Sequence, residues 1–237
     1  DRLLQLIDRE IAKGPDGYLY FKLNSVTDLT LIRKLREASC AGVQVDMVVR
    51  GICCLLPEVP GETENIHIKS LVGRYLEHAR IYCFGRGEDE LLYLSSADFM
   101  TRNMDRRVEV ACPVRGKAAR EKIHRIMEVQ DRDDVKARQL CADGTYRPVP
   151  GGSVPIEAQQ VLMEDAIARA LKVLLEKERY TVDLVHNGND AVDYIEAAHY
   201  DALVLDIMMP GRDGIEVLTT VRAHGNTTPA LFLTAKG

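Results

Sequence analysis

Two groups of residues in this chain of 237 have the types and spacing for phosphate chemistry. The first is cationic. Lys22 and Asn24 close the run YLYFKLN, Arg50 closes VQVDMVVR, His78 and Arg80 stand in EHAR, and Arg102, Asn103, Arg106 and Arg107 crowd into TRNMDRR. Cations and amide donors at strand ends suit phosphate oxygens rather than an apolar ligand. The second group is acidic. Glu164 and Asp165 follow QVLM, Asp206 ends DALVLD, and Thr234 ends ALFLT. Carboxylates brought together repel one another, so such a cluster calls for a hard cation such as Mg²⁺. With the metal bound, a carboxylate becomes a nucleophile toward a phosphoryl group. The Thr hydroxyl then bonds the phosphoryl oxygens and couples their arrival to a conformational change.

The elements that must position these residues follow from hydrophobic period and breakers. In the first half the spacing predicts a helix over 3–12, a strand over 18–23, a helix over 28–39 stopped at Gly42, and a strand over 43–49. Further strands are expected at 65–70, 79–84, 91–95 and 107–112, then a helix over 117–129. That order suggests an α/β layer with mixed pairing. In the second half strands at 160–163, 181–185, 201–205 and 229–233 alternate with helices. Such alternation implies a doubly wound parallel sheet with its site beyond the C-terminal strand ends. There Glu164, Asp165, Asp206 and Thr234 would meet.

Charge divides the chain in the same place. Residues 151–237 hold 7 basic and 13 acidic side chains, a net of −6, which leaves +1 for residues 1–150 of a chain at −5. Between them lies the stretch PVPGGSVP, whose prolines and glycines oppose helix and strand alike. We therefore expect domains at 1–150 and 157–237 joined by a linker at 151–156. The mild net acidity argues against a nucleic-acid binder. No apolar run approaches the roughly 18–20 residues of a membrane span. The opening DRL carries no signal-peptide pattern, so the sequence reads as cytoplasmic and as a piece of something longer. Six cysteines without a CxxC pair read as reduced and structural.

Longer strings sharpen both sites. His78-x-Arg80 followed by Ser95-Ser96-Ala97-Asp98 looks like a relaxed phospholipase D half-motif, in which one histidine attacks phosphorus and a second protonates the leaving group. Taken singly, a histidine beside a strand is more often a satisfied surface or core side chain, and Arg106 with Arg107 suits a solvated turn. FKLNSVTD at 21–28, AGVQVDMVVRGICCL at 41–55, GRYLEHARIYCFGRG at 73–87 and LSSADFMTRNMDRRVEVACPV at 94–114 together resemble the C-terminal domain of bacterial polyphosphate kinase. DDVKARQL and DGTYRPV resemble its tail. The resemblance implies a phospholipase D-like α/β fold, ATP–polyphosphate phosphotransfer, Mg²⁺ dependence and a phosphohistidine intermediate. By it Arg50 contacts nucleotide phosphates, with Lys22, Asn24 and Arg106 as further phosphate contacts, and His78 is the second, acid/base or ATP-contacting, histidine. The family's phosphorylated histidine lies in an HxGTGNYN-like string that is missing here, so this chain is not expected to turn over by itself.

MED at 163–165, YDALVLDIMMPGRDGIEVL at 200–218 and TPALFLTAKG at 228–237 resemble the receiver domain of response regulators, an incomplete flavodoxin-like doubly wound fold here lacking the last helix, strand and helix. The resemblance implies Asp206 as phosphoacceptor, Mg²⁺ held by Glu164, Asp165, Asp206 and the Met208 carbonyl, Thr234 as switch, and a sensor histidine kinase as partner. An open sheet edge makes this half the less stable one and leaves room for a homo-oligomer. Two other readings stand beside the fused phosphotransferase. One is a signalling protein whose first half only binds nucleotide or polyphosphate; the other is an inactive join of two truncated genes.

Overall fold

The computed structural model describes residues 2–152, 155–207, 209 and 211–233, and the chain divides into compact units at Asp1–Val161 and Leu162–Gly237. The first unit runs α1 (Arg2–Ile11), β1 (Tyr18–Leu23), α2 (Leu29–Cys40), β2 (Gln44–Val49), β3 (Ile66–Ser70), β4 (Arg80–Phe84), β5 (Leu91–Ser95), α3 (Thr101–Arg106), β6 (Ala111–Pro113), α4 (Lys117–Asp131), β7 (Arg138–Leu140) and β8 (Tyr146–Pro148). Its eight strands form one mixed sheet in the order β6-β5-β4-β1-β2-β3-β7-β8. The central β1, β2 and β3 are parallel, with Phe21 opposite Met47 and Met47 opposite Ile68, and the outer pairings are antiparallel.

The period of two in the strands sorts their side chains onto two faces. Leu19, Phe21 and Leu23 of β1 join Val45, Met47 and Val49 of β2 and Ile66 and Ile68 of β3 under Ile7 of α1 and Leu31 and Leu35 of α2. Phe21 sits at the middle, its ring edge-on to Tyr82, Phe84 and Phe99 with centroids 4.9–5.7 Å away. The opposite face carries Tyr20, Lys22, Ile81 and Cys83. α4 covers it: Arg120 and His124 bind Glu90 ahead of β5, and Lys69 of β3 donates to the Asp131 carboxylate at 2.9 Å. Asp28 starts α2 by accepting from the Leu31 amide at 3.0 Å, as an N-cap aspartate should.

Expectation and structure agree closely here, with three differences. The strand expected at 107–112 shrinks to β6, because the amide and carbonyl of Val110 bond Ser96 by side chain and backbone rather than entering a ladder. TRNMDRR begins as the short helix α3. DGTYRPV forms a hairpin, its turn set by Asp143 accepting from the amide and hydroxyl of Thr145. The connecting residues are tied down as well: Asp134 accepts from the amides of Gly152 and Ile156, and Asp133 from that of Ala158.

The second half departs further. α5 (Ala158–Lys177) begins in the first unit and continues into the second, followed by α6 (Gly188–Ala197), β9 (Leu203–Asp206), α7 (Gly214–Ala223) and β10 (Ala230–Leu233). The strand expected at 160–163 is helix. QVLM lies within twenty residues free of Gly and Pro and rich in Ala, Leu, Gln, Glu and Lys, so helix propensity prevails over a four-residue apolar run. The strand expected at 181–185 does not form either; a strand needs a ladder partner, and its sequence neighbour is spent on α5. The parallel pairing expected for this half survives as β9 with β10, Leu205 opposite Phe232. Its core is Ala191, Val192 and Ile195 of α6, Leu203 and Leu205 of β9, and Val217 and Val221 of α7. No helix among the described residues is long and apolar enough to cross a membrane.

Val204 and Leu231, on the other face of that two-stranded sheet, stand exposed. Local opening follows the number of buried apolar neighbours. We expect amides of β9 to exchange hydrogen faster than those of β1 by two orders of magnitude or so; equal protection by mass-spectrometric exchange would refute this.

Candidate functional site

The first unit's site lies where β1, β2 and β5 end. Past β1 the chain continues extended, and Val26 bridges both Cys53 after β2 and Phe99 after β5. Its amide donates to Ile52 O at 2.8 Å, its carbonyl accepts from Cys54, and Thr27 and Asp28 donate to Phe99 O. Three strand ends are thereby locked together, and four of the five residues expected at this site meet around them.

Asp98 is the hub. It is 6% exposed, and its Oδ1 accepts from the Asn24 amide at 2.7 Å and the Ser25 amide at 3.4 Å. Arg80 at the start of β4 donates to both its oxygens, at 2.8 and 3.3 Å. Burial by itself would raise this carboxyl, but the Arg80 bond and the two amides outweigh it and hold Asp98 below its usual range. Arg80 also reaches His78, its Nη1 2.9 Å from Nδ1 and its Nη2 3.3 Å from Nε2. A guanidinium only donates, so a ring nitrogen bonded to it acts as acceptor. His78 is exposed. Tyr82 braces the segment ahead of Asp98 by donating to Ala97 O, and burial pushes its hydroxyl up to about 12.

Arg50 lies half-buried one residue past β2, and its Nε donates to Asn24 Oδ1 at 3.1 Å. Asn24 Nδ2 is buried and has no hydrogen-bond partner among the described residues. An unsatisfied buried donor costs about 1–3 kcal/mol, so this amide is available to an oxygen brought to the site. Lys22, 5% exposed, pairs with Glu77 at 2.9 Å. Glu77 also accepts from Gln130 of α4 through the same oxygen and from Gln159 of α5 at 2.9 Å through the other. Arg106 is not brought in: it sits exposed at the end of α3, and no hydrogen bond or ion pair links it to this network among the described residues. Asn103 of the same helix instead binds Glu109 at 2.6 Å, which Ser96 also holds.

Glu77, Gln130 and Gln159 escape a reading by motif. Glu77 directly precedes His78, and an acid beside a His-x-Arg pair is a signal for a partner to Lys22. The two glutamines come from helices remote in sequence and carry none.

In the second unit Asp206 closes β9, half-buried. Gly214 must be glycine, since a Cβ there would stand 2.1 Å from Asp206 O. Glu164 and Asp165 occupy α5 rather than a strand end, a correction to the expected placement. Asp165 is 7% exposed and paired with His186 at 3.0 Å and Arg169 at 3.8 Å. Met208 and Thr234 lie outside the described residues. Among the described residues, no group of three or more His, Cys, Asp or Glu side chains lies close enough to hold a metal ion.

Comparison with known proteins bears on both units. A family model described as polyphosphate kinase C-terminal domain 2 matches residues 1–159, and one described as response regulator receiver domain matches 163–237. A polyphosphate kinase of Pseudomonas aeruginosa is 46% identical over 174 residues, taking in 71% of this chain and 25% of the relative. That of Staphylococcus epidermidis is 45% identical over 170 residues, 70% and 23% respectively. The crystal structure of polyphosphate kinase from Porphyromonas gingivalis superposes with a TM-score of 0.64 at 41% identity, covering 74% of this chain and 27% of that one. The chain thus spans about a quarter of the length of these relatives.

The Arg80–Asp98 pair makes a pH prediction. A carboxyl lowered by folding stabilises the fold above its ordinary value of 3.8, and that stabilisation drains away as pH falls through the lowered one. Asp98→Asn should cost about 3 kcal/mol at neutral pH, as expected for breaking a buried pair. It should also flatten the acid limb of stability measured by urea unfolding. An acid limb as steep as that of the wild type would refute the assignment.

Proposed function

Over residues 1–159 the chain belongs to the polyphosphate kinase C-terminal domain family, and a receiver domain follows at 163–237; from that premise we propose that the first unit binds the phosphate chain of ATP or polyphosphate and supplies half of a phosphotransferase site. The observation that carries this is the junction at Asn24: Arg50 and the orphan amide Nδ2 of Asn24 stand together at the strand ends, with His78 held from the far side by Arg80. Arg50 and Asn24 offer positive charge and amide donors to phosphate oxygens. Lys22 adds charge that Glu77 balances when no phosphate is present. His78, exposed beside these groups, is the side chain from which a departing phosphate oxygen can take a proton. The attacking group is a histidine outside these strings, on this reading supplied by another part of a longer polyphosphate kinase.

Both carboxylates at the site are already matched to a cation, Glu77 to Lys22 and Asp98 to Arg80. They do not fit a resident Mg²⁺, so no step passes through a protein-held metal; a cation accompanying ATP belongs to the substrate. In the second unit Asp165 is likewise engaged by His186 and Arg169. The carboxylates there form no metal-holding group among the described residues.

A second reading rests on the place of Asp206 at the end of β9: it is the acceptor for a phosphoryl group delivered by a sensor histidine kinase. The carboxylate oxygen would attack phosphorus and the donor's oxygen would leave with the bonding pair. Both functions belong to a cytoplasmic protein.

Arg50→Ala should weaken binding of tripolyphosphate at least about tenfold by calorimetry, the share of one charge-assisted contact. Unchanged affinity would overturn the phosphate reading. Intact mass after incubation with acetyl phosphate should show one phosphate on the wild type and none on Asp206→Ala; no gain on either would leave the first unit as the sole seat of phosphate chemistry.

A further inference from the structure

The loop over residues 71–79 carries His78 from β3 to β4 and leaves Val72, Tyr75 and Leu76 exposed. Such a segment belongs to the low-stability end of a fold unless something fastens it. Gln159, in the first turn of α5 and 8% exposed, does so. Its Oε1 accepts from the Tyr75 amide at 2.8 Å, and its Nε2 donates to the Tyr75 carbonyl at 2.7 Å and to Glu77 Oε1 at 2.9 Å. The side-chain amide reads both backbone groups of Tyr75 as a neighbouring strand would. Gly73 allows the approach: a Cβ there would stand 2.3 Å from Gln159 Oε1, closer than any real contact.

We propose that Gln159 is a positioning residue for His78, holding the 71–79 loop so that the ring faces the phosphate site at Arg50 and Asn24. This rests on the phosphate reading of that site. Packing of α5 does not account for the arrangement, because Asp133 already fastens the helix start through the Ala158 amide at 2.7 Å. The amide of Gln159 is left to serve the loop. Glu77 extends the device: one of its oxygens takes Gln159 and the other takes Lys22 and Gln130, so the residue before His78 is gripped from three elements.

The test uses the whole chain with Gln159→Leu, Gly73→Ala and the double variant, reading hydrogen exchange at the Tyr75 amide and affinity for tripolyphosphate. Gln159→Leu keeps the bulk and removes the bonds. It should speed Tyr75 exchange on the order of tenfold and weaken tripolyphosphate binding about fivefold, as three lost hydrogen bonds imply. The Leu31 amide, capped by Asp28, should keep its protection, which separates loop release from general unfolding. Gly73→Ala, clashing with the Gln159 amide, should do the same alone and cost less on top of Gln159→Leu than by itself, because the bonds it disturbs are already gone; the accompanying loss of affinity is what a merely structural role would not produce. If Gln159→Leu does not stay folded, Gly73→Ala carries the test with Gln159 in place. Unchanged Tyr75 exchange overturns the proposal, and so does faster exchange with unaltered affinity. A wild type that fails to bind tripolyphosphate overturns the phosphate reading instead, a distinct outcome.

Discussion

A carboxylate taken out of water must be matched, and Asp98 is matched by the backbone of one strand end and the side chain of another. Its bonds to Asn24 and Ser25 fix where β1 stops, and its bonds to Arg80 fix where β4 starts. Remove it and Arg80 becomes a largely buried cation whose remaining hydrogen bonds, among the described residues, go to the His78 ring and carbonyl. The convergence at Val26 ties the end of β1 to the segments past β2 and β5 by backbone alone. Side-chain electrostatics and ladder geometry therefore specify one arrangement of strand ends from two directions, and the consistency is what makes the site rigid.

That rigidity is graded. Lys22, Asn24 and Arg50 stand on or just past strands whose core-side neighbours are fully buried, so their backbones can open only with the sheet. His78 stands on a loop held by side chains. A phosphate chain needs fixed charge along its length, and a group that hands over a proton must be held within hydrogen-bond reach of the leaving oxygen. The division between strand-borne cations and a loop-borne histidine meets both needs.

The first unit was legible in its sequence because its strands alternate and its breakers are strong: YLYFKL and LLYLS form β1 and β5 over the expected residues, and Gly42 ends α2 near its expected place. Four of its five expected site residues come together; Arg106 does not, since the end of a six-residue helix points its charge by local geometry that a string does not encode. The second unit was less legible. QVLM satisfies a strand pattern over four residues and a helix pattern over twenty, and period alone does not decide short apolar runs. Propensity summed along Ala158–Lys177 decides it. With that strand gone, TVDLV loses its partner, and Glu164 and Asp165 lose the strand-end position on which an acidic pocket would depend.

The same helix explains why the boundary between the halves was hard to place. Prolines and glycines at 148–155 mark a break in regular structure, yet Asp133 and Asp134 bind the backbone on its far side, and Gln159 beyond it enters the first unit's site. A linker-like composition reports only that a segment makes few bonds of its own. It is silent about bonds made to the segment by others. Here Asp133 and Asp134 make them, and with Gln159 bound to the His78 loop the residues just past the apparent linker answer to the site at His78 before they answer to the domain that follows.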